Sequence, residues 1–373
     1  MIVSEAQEKE KSRSKYFSQI DGIRAIAVML VILGHYGRSV SQYLPSGGAG
    51  VKIFFVISGF LITGILISTL EKSRAANQSL FVTIRQFFIR RILRIFPPYF
   101  AALFIGFALN LGDWQQYWPW LVLFAGNWYM VINDCAMSPY SPYWSVAVEE
   151  QFYIFWPVVV FGCSLRLLGS VTWSLVVCSI LFKVIGVFTG VTFNWLYVST
   201  FSSLDALGIG AILAIYHKTN QKNKFDRLCQ ISFYFGAPIF LLTHIAKMVG
   251  WGSPVGTQLY YLSAAALGVY LIGKATDDSK WLLKGLLENR VVRYVGQISY
   301  GLYLYHMLVF AFALRLCDYF DIPWGQYPIL RVCLLILISF GISALSFHFL
   351  EQPINRRKDR YPYVVAKPAN DIT

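Results

Sequence analysis

The chain has 373 residues, of which 56% are hydrophobic and only 14% are charged, and its formal net charge is +13. A soluble domain carries about 25% charged residues, so this composition excludes an ordinary soluble protein and predicts an integral membrane protein. The basic residues stand in short segments between apolar runs, as membrane orientation requires, which argues against nucleic-acid binding. The six cysteines form no Cys-x-x-Cys pair, so neither a metal site nor a disulfide framework is indicated.

Ten apolar runs are long enough to cross a bilayer, which predicts an all-α, polytopic bundle of about ten transmembrane helices. The predicted spans are 22–38, 50–69, 95–112, 143–164, 172–190, 199–216, 230–247, 257–273, 296–315 and 328–350. Both termini are predicted to be cytoplasmic, because that orientation leaves 25 of the 32 Lys and Arg residues inside. Residues 113–142 are too broken by Trp, Pro and Asn for a crossing and are expected to be external or re-entrant.

The domain plan is accordingly simple. We predict a cytoplasmic tail at 1–20, one membrane domain at 21–350 and a second cytoplasmic tail at 351–373.

The first span carries two ionisable residues, Arg24 at its start and His35 near its end. His35 lies about 20 Å along the helix from Asp21, in the outer half of the membrane. Such residues usually mark function in a membrane, although a lone histidine can also be a packing residue.

A basic cluster precedes the third span, where Arg90, Arg91 and Arg94 stand in the stretch RQFFIRRILRIFPPYF. Arg91 and Arg94 share one helix face and suit an anionic phosphate ligand at the cytoplasmic side. The alternative is a topology anchor that pairs with lipid phosphates. We expect the Pro97-Pro98 pair to break the helix soon after Arg94.

The fourth span opens with YWSVAVEEQFYIFWP and places two carboxylates inside an apolar helix. A carboxylate at this depth needs a partner, and a histidine or arginine of another span is the natural one. We expect Glu149 to face the interior, between Trp144 and Tyr153 on neighbouring turns. Glu150 points about 100° away and is expected nearer the water interface.

Two later spans add further polar groups. In the ninth span Tyr303 and His306 lie three residues apart on one face, and they suit either a functional site or satisfied packing. Lys183 and Asp205 also lie within spans and are plausible partners for buried charge.

Six motifs occur together and in a fixed order over about 90% of the chain: DGIRAIAVMLVILGH, GVKIFFVISGFLI, RRILRIFPPYF, YWSVAVEEQFYIFWP, QISYGLYLYH and FLEQPINRR. By these motifs the chain resembles the acyltransferase 3 family of membrane O-acyltransferases. The resemblance implies an enzyme of the bacterial inner membrane that moves an acyl group, most often acetyl, from cytoplasmic acyl-CoA to a glycan hydroxyl outside. Lipopolysaccharide O-antigen or another exopolysaccharide would be the acceptor.

The resemblance also implies roles for individual residues. His35 would be the catalytic histidine, Glu149 its functional carboxylate, and Arg91 and Arg94 the acyl-CoA arginine pair. The supporting positions are then Arg24 and Arg90 on the donor side and, around the carboxylate and histidine motifs, Trp144, Ser145, Tyr153, Tyr303 and His306. No metal is implied.

The chain departs from the family pattern in two places. Ser203 stands where relatives often have an arginine two residues before the aspartate, which puts a role for Asp205 in doubt. The chain also stops about 23 residues after its tenth span, without the hydrolase-like domain of many relatives. It resembles the stand-alone form, which acylates its acceptor directly or through a separate periplasmic acyltransferase protein.

The chemistry leaves two routes open. His35 could act as a general base on the attacking hydroxyl or accept the acyl group itself, and in either route we expect Glu149 to contact and orient its imidazole. A proton-coupled transporter or flippase is the rival class, although no internal repeat relates the two halves of the chain. A small molecule or a lipid-linked sugar is the rival acceptor.

Overall fold

A computed structural model describes residues 17–37, 45–277, 281–323 and 327–363. Every regular element in these ranges is a helix, which confirms the predicted all-α class. In chain order the α-helices are α1 Ser18–Tyr36, α2 Gly47–Ala75, α3 Leu80–Ala108, α4 Trp114–Val122, α5 Gly126–Ile132, α6 Tyr143–Gly162, α7 Leu165–Phe188, α8 Phe193–Tyr197, α9 Thr200–Lys218, α10 Lys222–Met248, α11 Pro254–Thr276, α12 Lys284–Glu288, α13 Arg290–Gln297, α14 Ser299–Tyr319, α15 Pro328–Ser346 and α16 Gln352–Arg356. A π-helical turn, Phe347–Glu351, joins α15 to α16, and a 3₁₀ turn, Arg357–Arg360, follows α16.

The bundle has the dimensions of a multi-pass membrane protein. Among the described residues, nine helices are long and apolar enough to cross a membrane. The predicted span outside this set is α6, a 20-residue helix that carries both carboxylates of its motif. Residues 113–142 form α4 and α5, of nine and seven residues. Each is far shorter than the roughly 20 residues that a crossing needs, in keeping with an external or re-entrant segment.

Helix α2 is the central element because it packs against α1, α9 and α11. It approaches α9 at the level of the backbone. A Cβ atom on Gly59 would collide with the carbonyl oxygen of Leu207, and one on Gly210 would collide with that of Val56. Small residues allow this close packing in membranes, where the hydrophobic effect contributes little between helices. The α2–α9 contact is therefore a fixed part of the bundle.

The predicted helix break after Arg94 is wrong. Helix α3 runs without interruption through Pro97 and Pro98 for 29 residues. A proline lacks the N–H that would bond the carbonyl four residues earlier, and the described part of α14 contributes hydrogen bonds to other carbonyls of this stretch. Here the hydroxyl of Tyr300 donates to the carbonyl of Ile95 at 3.2 Å, and that of Tyr305 donates to the carbonyl of Pro98 at 3.5 Å. Helix α14 thus supports α3 at its proline pair.

Several predicted segments fall partly outside the described residues. These are most of the tail at 1–20, the last residue of the first predicted span at 22–38 and the end of the tail at 351–373. Where it is described, the tail after residue 351 is helical and contacts α3.

Candidate active site

A cavity of about 150 Å³ opens between α1, α2, α3, α6, α13 and α14. One wall is apolar and comes mostly from α2, whereas the other elements contribute charged and hydroxyl groups. Eight of the residues singled out in the sequence line it: Arg24, Arg91, Arg94, Ser145, Glu149, Glu150, Tyr153 and Tyr303. Residues from four separate motifs therefore meet around one space.

The arginines form one end of this cavity. Arg24 bonds Asp21 on its own helix at 3.2 Å. The guanidinium of Arg91 lies 5.5 Å from the ring centroids of both Phe87 and Tyr153. Within the described residues, neither Arg91 nor Arg94 has a carboxylate at ion-pair distance. Both guanidiniums consequently remain available for an anionic ligand such as phosphate.

Arg90 lies apart from the cavity. Its guanidinium donates hydrogen bonds to the carbonyls of Lys358 at 2.7 Å and Tyr361 at 3.0 Å, and it covers the ring of Tyr363. The one-residue offset from Arg91 turns it about 100° around α3. Arg90 therefore fastens the segment after α16 to α3, a contact that the sequence pattern does not reveal.

Glu149 is fixed in the cavity wall by two hydroxyl groups. Ser58 donates to one carboxylate oxygen at 2.7 Å, and Tyr153 lies 3.1 Å from the other. The predicted contact with His35 is not formed. The imidazole of His35 lies 3.0 Å from that of His306 instead. Ser58 escaped the sequence analysis because a single serine in the GVKIFFVISGFLI motif carries no distinctive spacing.

Glu150 also departs from its predicted position near water. Its residue is only 8% exposed, and it lines the same cavity as Glu149. The prediction failed because it considered α6 alone. In the bundle, α3 and α14 cover the face of α6 that turns away from Glu149, as the cavity lining by Ile95 and Tyr300 indicates.

Tyr303 stands at the other end of the cavity. Its hydroxyl lies 2.6 Å from Ser145 Oγ and 2.8 Å from the carbonyl of Pro142. Trp144, beside Ser145, does not line the cavity and instead packs on the rings of Phe55 and Tyr197. Ser145 and Tyr303 are thus the polar pair that ends the cavity.

The two histidines lie one helical turn beyond this pair. His306 is fully buried, whereas His35 is exposed. Nδ1 of His306 lies 2.8 Å from the carbonyl oxygen of Tyr303, and because a carbonyl only accepts, this nitrogen carries the proton. In a neutral His306, Nε2 then accepts from Nδ1 of His35 at 3.0 Å. The remaining nitrogen of His35, Nε2, keeps a free lone pair.

Tyr36 stabilises the position of the His35–His306 pair. Its hydroxyl donates to the carbonyl of His306 at 2.6 Å and lies 2.7 Å from Ser339 Oγ. These bonds tie α1, α14 and α15 together directly behind His35. The position of the exposed imidazole is therefore set by three helices.

A second group of charges lies elsewhere in the bundle. Lys183 forms a hydrogen-bonded ion pair with Asp205, and both side chains are buried. Lys52 is 1% exposed and reaches Ser203 Oγ at 3.5 Å. The expectation that Lys183 and Asp205 are partners for buried charge is confirmed.

This chain belongs to the acyltransferase 3 family, because the family's acyltransferase domain model matches residues 17–348. The resemblance inferred from the six motifs is thereby confirmed. Among curated proteins, the chain is 28% identical to the peptidoglycan O-acetyltransferase OatA of Listeria monocytogenes serovar 1/2a, over 92% of this chain and 56% of that protein. It is likewise 28% identical to the O-acetyltransferase OatA of Staphylococcus aureus (strain NCTC 8325 / PS 47), over 92% of this chain and 58% of that protein.

The chain thus spans less than two thirds of the length of these relatives. No solved structure matches it.

Proposed function

We propose that this protein is an acyl-CoA-dependent membrane O-acyltransferase that transfers acetyl groups across the bacterial inner membrane to a hydroxyl of a cell-surface glycan. The observation that carries the proposal is the path formed by the cavity. The path begins at guanidiniums that have no carboxylate partner among the described residues and so suit phosphate groups. It ends at Tyr303, one turn from His306, whose imidazole contacts the exposed imidazole of His35. The peptidoglycan acetyltransferase among the relatives favours a glycan acceptor.

The length of this path fits a slender thioester arm. On α6, Tyr153, Glu149 and Ser145 lie on successive turns about 6 Å apart, and His306 follows Tyr303 by about 4.5 Å along α14. The arginines and the histidine pair are thus separated by about 16 Å of helix rise. A pantetheine arm is comparable to four or five extended peptide residues, or about 15 Å. The thioester of a donor held by Arg91 and Arg94 would therefore reach the histidines.

The positions of the protons on the two imidazoles define a role for His35. Because Nε2 of His306 accepts from Nδ1 of His35, His35 presents its own Nε2 as a base toward the exposed side. The acceptor hydroxyl attacks the thioester carbonyl carbon while its proton passes to this nitrogen. The tetrahedral intermediate then collapses, the C–S bond breaks, and the sulfur takes the proton as CoA thiol. General-base catalysis of this kind contributes about 10² to 10⁴ in rate.

His306, rather than Glu149, thus orients the imidazole in this scheme. Glu149 is held by Ser58 and Tyr153 and lies on the donor path, between the arginines and Ser145. Its charge balances the guanidiniums around it. The family assignment favours acyl transfer over the rival transporter, because the matched domain is an acyltransferase domain.

The test replaces His35 by alanine and compares the acetyl content of cell-surface glycans by mass spectrometry, in cells that carry the wild type, the variant or no gene. We expect the variant to match the cells without the gene, at unchanged protein level in the membrane. His348→Ala is the matched control, because this histidine contacts Tyr294 away from the path. Wild-type acetylation by the His35 variant would disprove the assignment.

A further inference from the structure

Glu150 has a buried carboxyl oxygen that receives no hydrogen bond from the part of the chain that the structure describes. The residue is 8% exposed and lines the cavity, and its Oε1 atom is buried with no hydrogen-bond partner among the described residues. A buried acceptor without a donor costs free energy, so such a group is rarely tolerated without a purpose. Its neighbour Glu149, by contrast, has two hydroxyl partners.

The position of Glu150 along the path indicates which donor it could receive. It lies one turn from Tyr153, where Arg91 stacks, and just over one turn from Ser145 at the other end. A ligand whose phosphates contact the arginines and whose thioester reaches Tyr303 would pass Glu150 with the middle of its arm. The pantetheine arm carries two secondary amides there, and each buried amide N–H requires an acceptor.

On the basis of the proposed function, we infer that Glu150 accepts a hydrogen bond from an amide N–H of the pantetheine arm of acyl-CoA. Glu150 is therefore the residue that distinguishes a pantetheine thioester from other anionic ligands of the arginines. The apolar wall of α2 faces the arm from the opposite side and offers it no competing side-chain acceptor apart from Ser58, which already donates to Glu149.

The test compares two probes on purified protein in nanodiscs: acetyl-CoA, and adenosine 3′,5′-bisphosphate, which has phosphates but no pantetheine. In Glu150→Leu we expect the affinity for acetyl-CoA to fall about ten- to a hundred-fold, because an amide N–H of the ligand would be buried without an acceptor, with unchanged affinity for the bisphosphate. Glu150→Gln keeps a carbonyl acceptor of the same reach and should lose less than about five-fold. Glu71→Leu, on an exposed turn of α2, is the control.

Equal loss for both probes, or no loss for acetyl-CoA, would overturn the inference. A second experiment uses acetyl-CoA that is methylated at its two pantetheine amide nitrogens. The wild type should bind this analogue as weakly as Glu150→Leu binds acetyl-CoA, and Glu150→Leu should not discriminate between the two donors. If Glu150→Leu preferred acetyl-CoA over the methylated analogue as strongly as the wild type does, the inference would be contradicted. Failure of the wild type to bind either first probe would refute the proposed function instead.

Discussion

Two pairs of ionisable groups lie within the bundle, and they differ in what surrounds them. In the Lys183–Asp205 pair, both side chains are buried and each charge is met by the other. In the His35–His306 pair, one imidazole is fully buried and the other is exposed. In the first pair the two charges neutralise each other, whereas the second pair ends in a nitrogen with a free lone pair. The proposed function accordingly places acyl transfer at the pair that reaches the outside and assigns the fully buried pair to the stability of the bundle.

Breaking the buried pair should have the largest effect on the folded state. Asp205→Asn leaves Lys183 and the buried Lys52 without a carboxylate, so we expect it to cost about 3 to 5 kcal/mol, measured by chemical denaturation of the detergent-solubilised protein. Lys183→Met should cost less, because Lys52 still interacts with Asp205. Acyl transfer per folded molecule should change little in either variant. A variant of full stability but reduced turnover would place Asp205 in the reaction.

Variants of the His35–His306 pair should instead lose turnover. His306→Phe removes the acceptor of His35 and should lower kcat by about ten- to a hundred-fold, with little change in the KM for acetyl-CoA. His306→Gln keeps an acceptor near the position of Nε2 and should recover much of this loss, which a merely structural role would not produce. Release of CoA by the reconstituted enzyme is the measurement. Equal losses in the two variants would assign His306 to packing.

The arginine cluster offers a comparison between neighbours on one helix. Arg91→Ala combined with Arg94→Ala should weaken acetyl-CoA binding about ten- to a hundred-fold by calorimetry, because two charged contacts to phosphate are lost. Arg90→Ala is the matched control, since its guanidinium serves the segment after α16. It should change the affinity by less than about three-fold. Comparable losses in both variants would indicate a general effect of positive charge at this end of α3.

The sequence predicts much of this arrangement. Apolar run length predicts the helices, and the motifs bring Arg91, Glu149 and Tyr303 to one cavity. What it misses depends on neighbouring helices. Beside the prolines, α3 is held by tyrosines about 200 residues further along the chain, which donate to its carbonyls. Spacing along one helix gives the direction of a side chain relative to that helix, but not which helix covers it.

The predicted contact of His35 with Glu149 is wrong for the same reason, because it depends on how neighbouring helices pack. Its motif predicts a carboxylate partner by analogy with hydrolytic triads, and only the crossing of α1 with α14 reveals a second histidine instead. For Glu150 the neighbouring helices determine burial rather than a contact. Its direction on α6 alone predicts a position near water, but the surrounding helices bury it.

The close contact of α2 with α9 has a consequence for anyone who wishes to alter the acyl group transferred. Because Gly59 and Gly210 bring two backbones together, the apolar wall that α2 gives to the cavity has no room to retreat. Space for a longer chain would have to be cut from the facing side, by shortening residues of α6 and α14 such as Val146. Under the proposed function, the range of acyl donors would thus be altered from the side that faces α2.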